Sequence, residues 1–155
     1  MAVIEISTTL EAPAADVWRE VQTPRLLHYV ARGRMSFAPI DPPVFPEVWE
    51  EREYVVAMRW GGFLPIGRQV IGIEKPAAEG SALFVRDNGR SALIDKWDHL
   101  ITIRPTGEMR TSYTDRLDVE AGALTPFVAA FAKSFYAHRQ RRWERLIANG
   151  FDYDL

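Results

Sequence analysis

An α+β domain is predicted, in which an antiparallel sheet of seven strands is crossed by one long C-terminal helix, and three features of the sequence carry that prediction. Hydrophobic alternation with a period of two recurs through seven segments. Short turn signals join most of them, as antiparallel neighbours require, since parallel strands need long crossovers. From Leu124 onward the period changes to 3.6 and holds to about Asn149.

The first strand spans Ala2 to Leu10, with Ile4, Ile6 and Leu10 on one side and Glu5, Ser7 and Thr9 on the other. Pro13 suits a helix start, and Val17, Trp18 and Val21 recur at helical spacing up to Thr23. Pro24 interrupts this segment, and Arg25 to Val30 reads as a second short helix. After Gly33 come a short strand at Met35–Ala38 and a proline-rich loop, PIDPPVFP, whose prolines cannot donate to a ladder. A longer strand at Trp49–Trp60 places Tyr54, Val56, Met58 and Trp60 on one core face. GGFLPIG breaks the alternation. Strands at Arg68–Glu74, Ala82–Asp87, Leu93–Arg104 and Arg110–Val119 complete the set, with Asn88-Gly89 and Thr106-Gly107 expected as hairpin turns because both pairs accept positive φ readily. Thr125-Pro126 suits the start of the long helix and Asn149-Gly150 its end.

The 155 residues fit one domain, which buries roughly 70% of the surface its unfolded chain exposes. A hydrophobic content of 47% beside 26% charged residues is globular composition and excludes disorder. With no cysteine there are no disulfides, no thiolate chemistry and no cysteine-based zinc site. No stretch approaches the ~20 apolar residues of a transmembrane segment, and the N-terminus lacks the pattern of a secretory signal, so a cytoplasmic location is expected. The net charge of −2 argues against nucleic acid as a partner. His28, His99 and His138 show no paired ligand spacing, so no metal is expected. No GxGxxG, phosphate loop or GxSxG is present, and no cofactor is expected.

The order of elements, over essentially the whole chain, resembles the helix-grip fold of the START/Bet v 1-like superfamily, which includes bacterial proteins labelled SRPBCC or polyketide cyclase/dehydrase. The opening VIEISTTLEAPAADVWREV is similar to the start of such domains. WDHLITI, YTDRLDVEAGALTP and FYAHRQRRW resemble one little-characterised bacterial branch. The resemblance implies a single START/Bet v 1-like domain over residues 1–155, with a curved sheet and an elongated cavity beneath the long helix. It implies no single chemistry, because fold does not settle function.

Within that frame, Phe37, Trp60, Trp97, Tyr113, Phe127, Phe131 and Phe135 are expected to line the cavity, and His99, Asp115 and His138 to orient what it holds. The stripe Leu124, Phe127, Val128, Phe131 and Phe135, too bulky to leave in water, is taken to face the sheet. At about 100° per residue it continues through His138 and Arg142, with Arg139 on its shoulder. A second reading makes Arg139, Arg141, Arg142 and Arg145 a solvated helix end whose cations complement the helix dipole. Asp115 shares the apolar face of Tyr113, Leu117 and Val119, and a buried carboxylate must be paired or take up a proton. With ~3.3 Å per strand residue and ~1.5 Å per helix residue, it falls opposite His138 or Arg139, as a structural clamp or a catalytic pair. His99 lies with Trp97, Ile101 and Ile103 on one face, either as a cavity acid/base or as a satisfied core histidine. Arg68 and Arg86 could each point inward on their strands, although the outer sheet surface is the commoner place for an arginine.

Three functions are open. The first is binding or carriage of a small hydrophobic or lipid-like molecule. The second is a polyketide cyclase/dehydratase-like enzyme using His99 or an Asp115–His138 pair as general acid/base. A protein-interaction module is the third, and it requires the aromatics to form a surface patch. No nucleophile is evident, and no residue is assigned as catalytic. Ligand identity and oligomeric state are not legible in the sequence.

Overall fold

Residues 1–155 are all described in a computed structural model. Alternation builds the first strand, Ala2–Leu10 (β1), whose even-numbered residues turn inward. Two helices follow, Ala14–Val21 (α1) and Pro24–Ala31 (α2). Thr23 starts the second, its hydroxyl accepting from the Leu26 N–H at 3.3 Å ahead of a proline that needs no donor of its own. The remaining strands are Met35–Asp41 (β2), Glu53–Trp60 (β3), Leu64–Glu74 (β4), Leu83–Ser91 (β5), Lys96–Gly107 (β6) and Arg110–Glu120 (β7). A 3-10 turn at Gly122–Leu124 leads into Thr125–Ala148 (α3).

All seven strands form one antiparallel sheet in the order β1-β7-β6-β5-β4-β3-β2. The meander from β2 to β7 is therefore completed by β1 at the far edge, and the curved sheet carries α3 on its inner face. This is the expected α+β helix-grip architecture. No helix is long and apolar enough to cross a membrane.

Several expected boundaries move, each for a local reason. Trp49 precedes β3: its N–H donates to the Gln22 carbonyl at 2.7 Å, and its ring packs edge-on to Tyr54 at 4.8 Å, so it ties the proline-rich loop to the end of α1. Only Gly61–Phe63 form the break after Trp60, because Leu64–Gly67 already pair with β3 across a bulge. Asn88-Gly89 is not a turn. Both residues stay in β5 opposite Asp98 and Trp97, and the chain reverses after Ser91, where the Ser91 N–H reaches the Ile94 carbonyl at 2.9 Å. Gly89 serves close approach: a Cβ there would lie 2.7 Å from the Val70 carbonyl oxygen. Thr106-Gly107 likewise belongs to β6, and Glu108-Met109 makes the turn.

The core is divided. A cluster of 13 buried residues joins α1, α2 and the C-terminal half of α3 to β5–β7, with Trp143, Tyr113, Ile103 and Leu146 all at 0% exposure. A second cluster gathers around Tyr54, Val56 and Phe135, and a third around Trp97, Leu117 and Tyr136. Between them the helix stands off the sheet.

Candidate functional site

That gap is a cavity of about 490 Å³, lined by 26 residues of which 21 are hydrophobic. Its walls come from the inward alternation of five consecutive strands: Phe37 on β2, Met58 and Trp60 on β3, Ile71 and Ile73 on β4, Val85 and Asp87 on β5, and Trp97, His99 and Ile101 on β6. The roof is α3, through Phe127, Val128, Phe131, Phe135, Tyr136 and Arg139. Aromatic contacts run along the roof and join it to the wall. Trp60 and Phe131 lie 5.2 Å apart by ring centroid, Phe131 and Phe135 5.6 Å, and His99 and Tyr136 4.4 Å.

Seven of the ten expected residues line this space: Phe37, Trp60, Trp97, His99, Phe127, Phe131 and Phe135. Phe127 corrects the expectation of a solvent-shielded stripe, because it is 75% exposed and stands at the mouth with Trp60 and Leu124, themselves 43% and 45% exposed. The other three lie elsewhere. Tyr113 is fully buried beyond the cavity's end, 5.5 Å from the Trp143 ring. Asp115 is buried behind His99. His138 turns away towards α2, where its Nε2 meets the Arg32 carbonyl at 2.8 Å. Arg142 follows it, donating to the Tyr29 carbonyl at 3.1 Å. The rim residues Leu124 and Phe127 pulled the assumed axis of the helix to one side; the face that is buried runs through Ala132, Tyr136, Arg139, Gln140 and Trp143.

Asp115 is paired, but neither His138 nor Arg139 is its donor. His99 Nε2 lies 2.7 Å from Asp115 Oδ1, and Gln140 Nε2 donates to Oδ2 at 2.9 Å while also donating to the Ile6 carbonyl at 2.8 Å. The helix does clamp the strand, through the residue after those counted. Register makes the His99 contact: Ile101 faces Asp115 directly and His99 faces Leu117, so the imidazole reaches Asp115 diagonally, a reach of the sheet that long side chains span. An ionised Asp115 assigns the proton to Nε2 and leaves Nδ1 as an acceptor. Burial pushes the His99 pKa below its ordinary value against the pull of Asp115, which keeps the ring neutral near pH 7.

One polar group of the wall, Asp87, has no counterpart in the sequence reading, and another, Arg139, has a different role from the one expected. Asp87 is the cross-strand neighbour of His99 and accepts the Gly72 N–H at 2.9 Å. It lines the cavity, and burial pushes its carboxyl up to about 7 against the Gly72 hydrogen bond and the Arg139 charge. The alternation Leu83, Val85, Asp87 held that signal, but a strand ended at Asp87 gives its last side chain no face. Arg139, read as Asp115's donor or as a solvated cation, is 8% exposed and lines the cavity. Its guanidinium carbon sits 5.3 Å from the Tyr136 centroid and 5.8 Å from that of Phe135. No carboxylate lies within ion-pair distance of it, and its buried Nε has no hydrogen-bond partner. Arg86 lies on the outer face as expected, held by both Asp98 oxygens at 2.7 Å.

A family model described as "Domain of unknown function (DUF8410)" matches residues 44–147. Comparison with curated protein sequences gives no match. Among solved structures, the chain is similar to a START superfamily protein from Mycobacterium smegmatis, at 14% identity and a TM-score of 0.63 over 95% of this chain and 97% of that one. It is similar to norcoclaurine synthase from Thalictrum flavum, in complex with dopamine and hydroxybenzaldehyde, at 13% identity and 0.67 over 96% and 87%. A conserved protein from Geobacillus kaustophilus gives 17% identity and 0.65 over 96% of each chain. At these identities the likeness is one of fold.

Proposed function

The chain belongs to the DUF8410 family and has the START/Bet v 1-like fold, and we propose that it binds or carries a small hydrophobic molecule in the space beneath α3. The cavity carries this reading: about 490 Å³ of mostly apolar wall, with a few polar groups gathered at Asp87, His99 and Arg139, has the size and composition of a small-molecule site. Its apolar mouth at Trp60, Leu124 and Phe127 gives a greasy molecule a path that avoids crossing charged surface. The aromatics that a protein-interaction module would present outside mostly line this interior. A cysteine-free chain suits a reducing compartment, and the cytoplasm is the proposed location.

The test is to fill the space. Val128→Trp adds a ring from the roof at a partly exposed position that lines the cavity. Titration with the neutral fluorophore N-phenyl-1-naphthylamine should show saturable binding to wild type and at least tenfold weaker binding to V128W of unchanged melting temperature. Equal binding by both proteins would place the dye outside the cavity and sink the reading. Native mass spectrometry of protein purified from cells would show what molecule travels with it.

One observation favours a second reading, an enzyme of the cyclase or dehydratase kind. His99 lines the cavity with its Nε2 2.7 Å from Asp115, and a neutral imidazole oriented by a carboxylate is a competent general base through its free nitrogen. Norcoclaurine synthase shows that this fold can house an enzyme. Incubation of a co-purified ligand with wild type and His99→Ala, followed by mass spectrometry, separates the readings: turnover lost in H99A with binding retained favours catalysis.

A further inference from the structure

We propose that Arg139 is an anion receptor, so that the molecule held in the cavity is amphipathic and docks a carboxylate on this guanidinium with its apolar body under Phe131 and Phe135. The inference rests on the reading of the cavity as a ligand site and names the chemistry that site selects.

Arginine stays protonated in proteins, and a guanidinium taken out of water is normally matched by a carboxylate or a full set of acceptors. Arg139 has neither. It is 8% exposed, its Nε has no hydrogen-bond partner, and the single acceptor beside it is the Tyr113 hydroxyl, which is too poorly placed for a full hydrogen bond. No carboxylate of the chain forms an ion pair with it. Asp115 takes His99 on one oxygen and Gln140 on the other, and Asp87 takes the Gly72 N–H. Tyr136 and Phe135 offer ring faces, which support a cation but leave its N–H groups without acceptors. What remains is a planar fork of donors at the wall of an apolar chamber, the geometry that two oxygens of a carboxylate complete. The same position disfavours a cationic ligand, which would face Arg139 across a low-dielectric space.

The surrounding groups agree with an incoming anion. Burial holds Asp87 near half-protonated at neutral pH and His99 neutral, so Arg139 is the one full charge on the wall, and a protonated Asp87 can donate to the same anion.

The experiment compares matched acids and neutral analogues of two shapes: dodecanoate against 1-dodecanol, and 2-naphthoate against 2-naphthamide, each by displacement of N-phenyl-1-naphthylamine. Wild type should prefer the acid at least tenfold in one pair, Arg139→Gln should reduce that preference below threefold, and Arg139→Lys, which keeps the charge without the fork, should fall between. The wild-type comparison stands even if R139Q fails to fold. Equal affinity for acid and neutral analogue in both pairs, or an acid preference that survives in folded R139Q, overturns the assignment to Arg139 while the cavity reading stands. If the fluorophore itself does not enter, both fall together.

Discussion

At its C-terminal half α3 buries Trp143 and Leu146 completely, against Tyr113, Ile103 and Leu10, whereas its N-terminal half carries Phe127 at 75% exposure and roofs a cavity of about 490 Å³. One helix thus meets one sheet in a filled region and a hollow one. The filled end, reinforced by α1 and α2, supplies packing that lets the other end stand off, because a void forfeits dispersion contacts along its whole lining. The boundary is polar: Gln140 and Asp115 lie on the filled side, Arg139, His99 and Asp87 on the hollow side.

The contrast breaks most sharply at the aromatics. Trp143→Ala should cost about 3–5 kcal/mol by chemical denaturation, because its surroundings cannot collapse into the space. Phe131→Ala, over a cavity that already exists, should cost roughly half of that or less. Equal losses would mean that the two halves are equally packed.

At the boundary, Asp115→Asn replaces one acceptor oxygen by a donor facing His99 or Gln140. A loss of about 1–3 kcal/mol is expected in the same measurement. If the pair serves chemistry more than support, stability will change less than ligand turnover.

On the hollow side, Asp87 makes stability depend on pH. Its folded pKa of about 7 lies above the ordinary carboxyl value, so the native state holds a proton that the unfolded chain releases. That contribution is complete below about pH 4 and is lost as pH rises through about 7. Relative to wild type, Asp87→Asn should therefore gain on the order of 1 kcal/mol between pH 5 and pH 8, a figure kept small because the Asp87 side chain is only partly buried. Parallel stability curves for the two proteins across that range would show that Asp87 does not titrate there.

The smallest effect is expected at the rim. Phe127→Ser should change stability by no more than about 0.5 kcal/mol, as for an ordinary surface site, while altering the rate at which a probe enters. Stopped-flow mixing with N-phenyl-1-naphthylamine would read it.

Hydrophobic periodicity by itself determined the seven strands, the two short helices, the long helix and most of the aromatic lining, because side-chain direction in a regular element follows from spacing alone, whereas Asn-Gly and Thr-Gly pairs misplaced two of the turns. The same periodicity also marked Asp115 as a carboxylate that must be paired. Only the tertiary structure decided its partners, since β6–β7 register brings His99 diagonally to Asp115 and the rotation of α3 offers Gln140 in place of His138. That rotation turns on which apolar residues are rim and which are core, and Phe127 and Phe135 look alike in a sequence. Asp87 was hidden because a strand taken to end there gives its last side chain no face, and Arg139 was left between a pairing with Asp115 and a solvated helix end until the opposing wall was in place; that wall encloses them both.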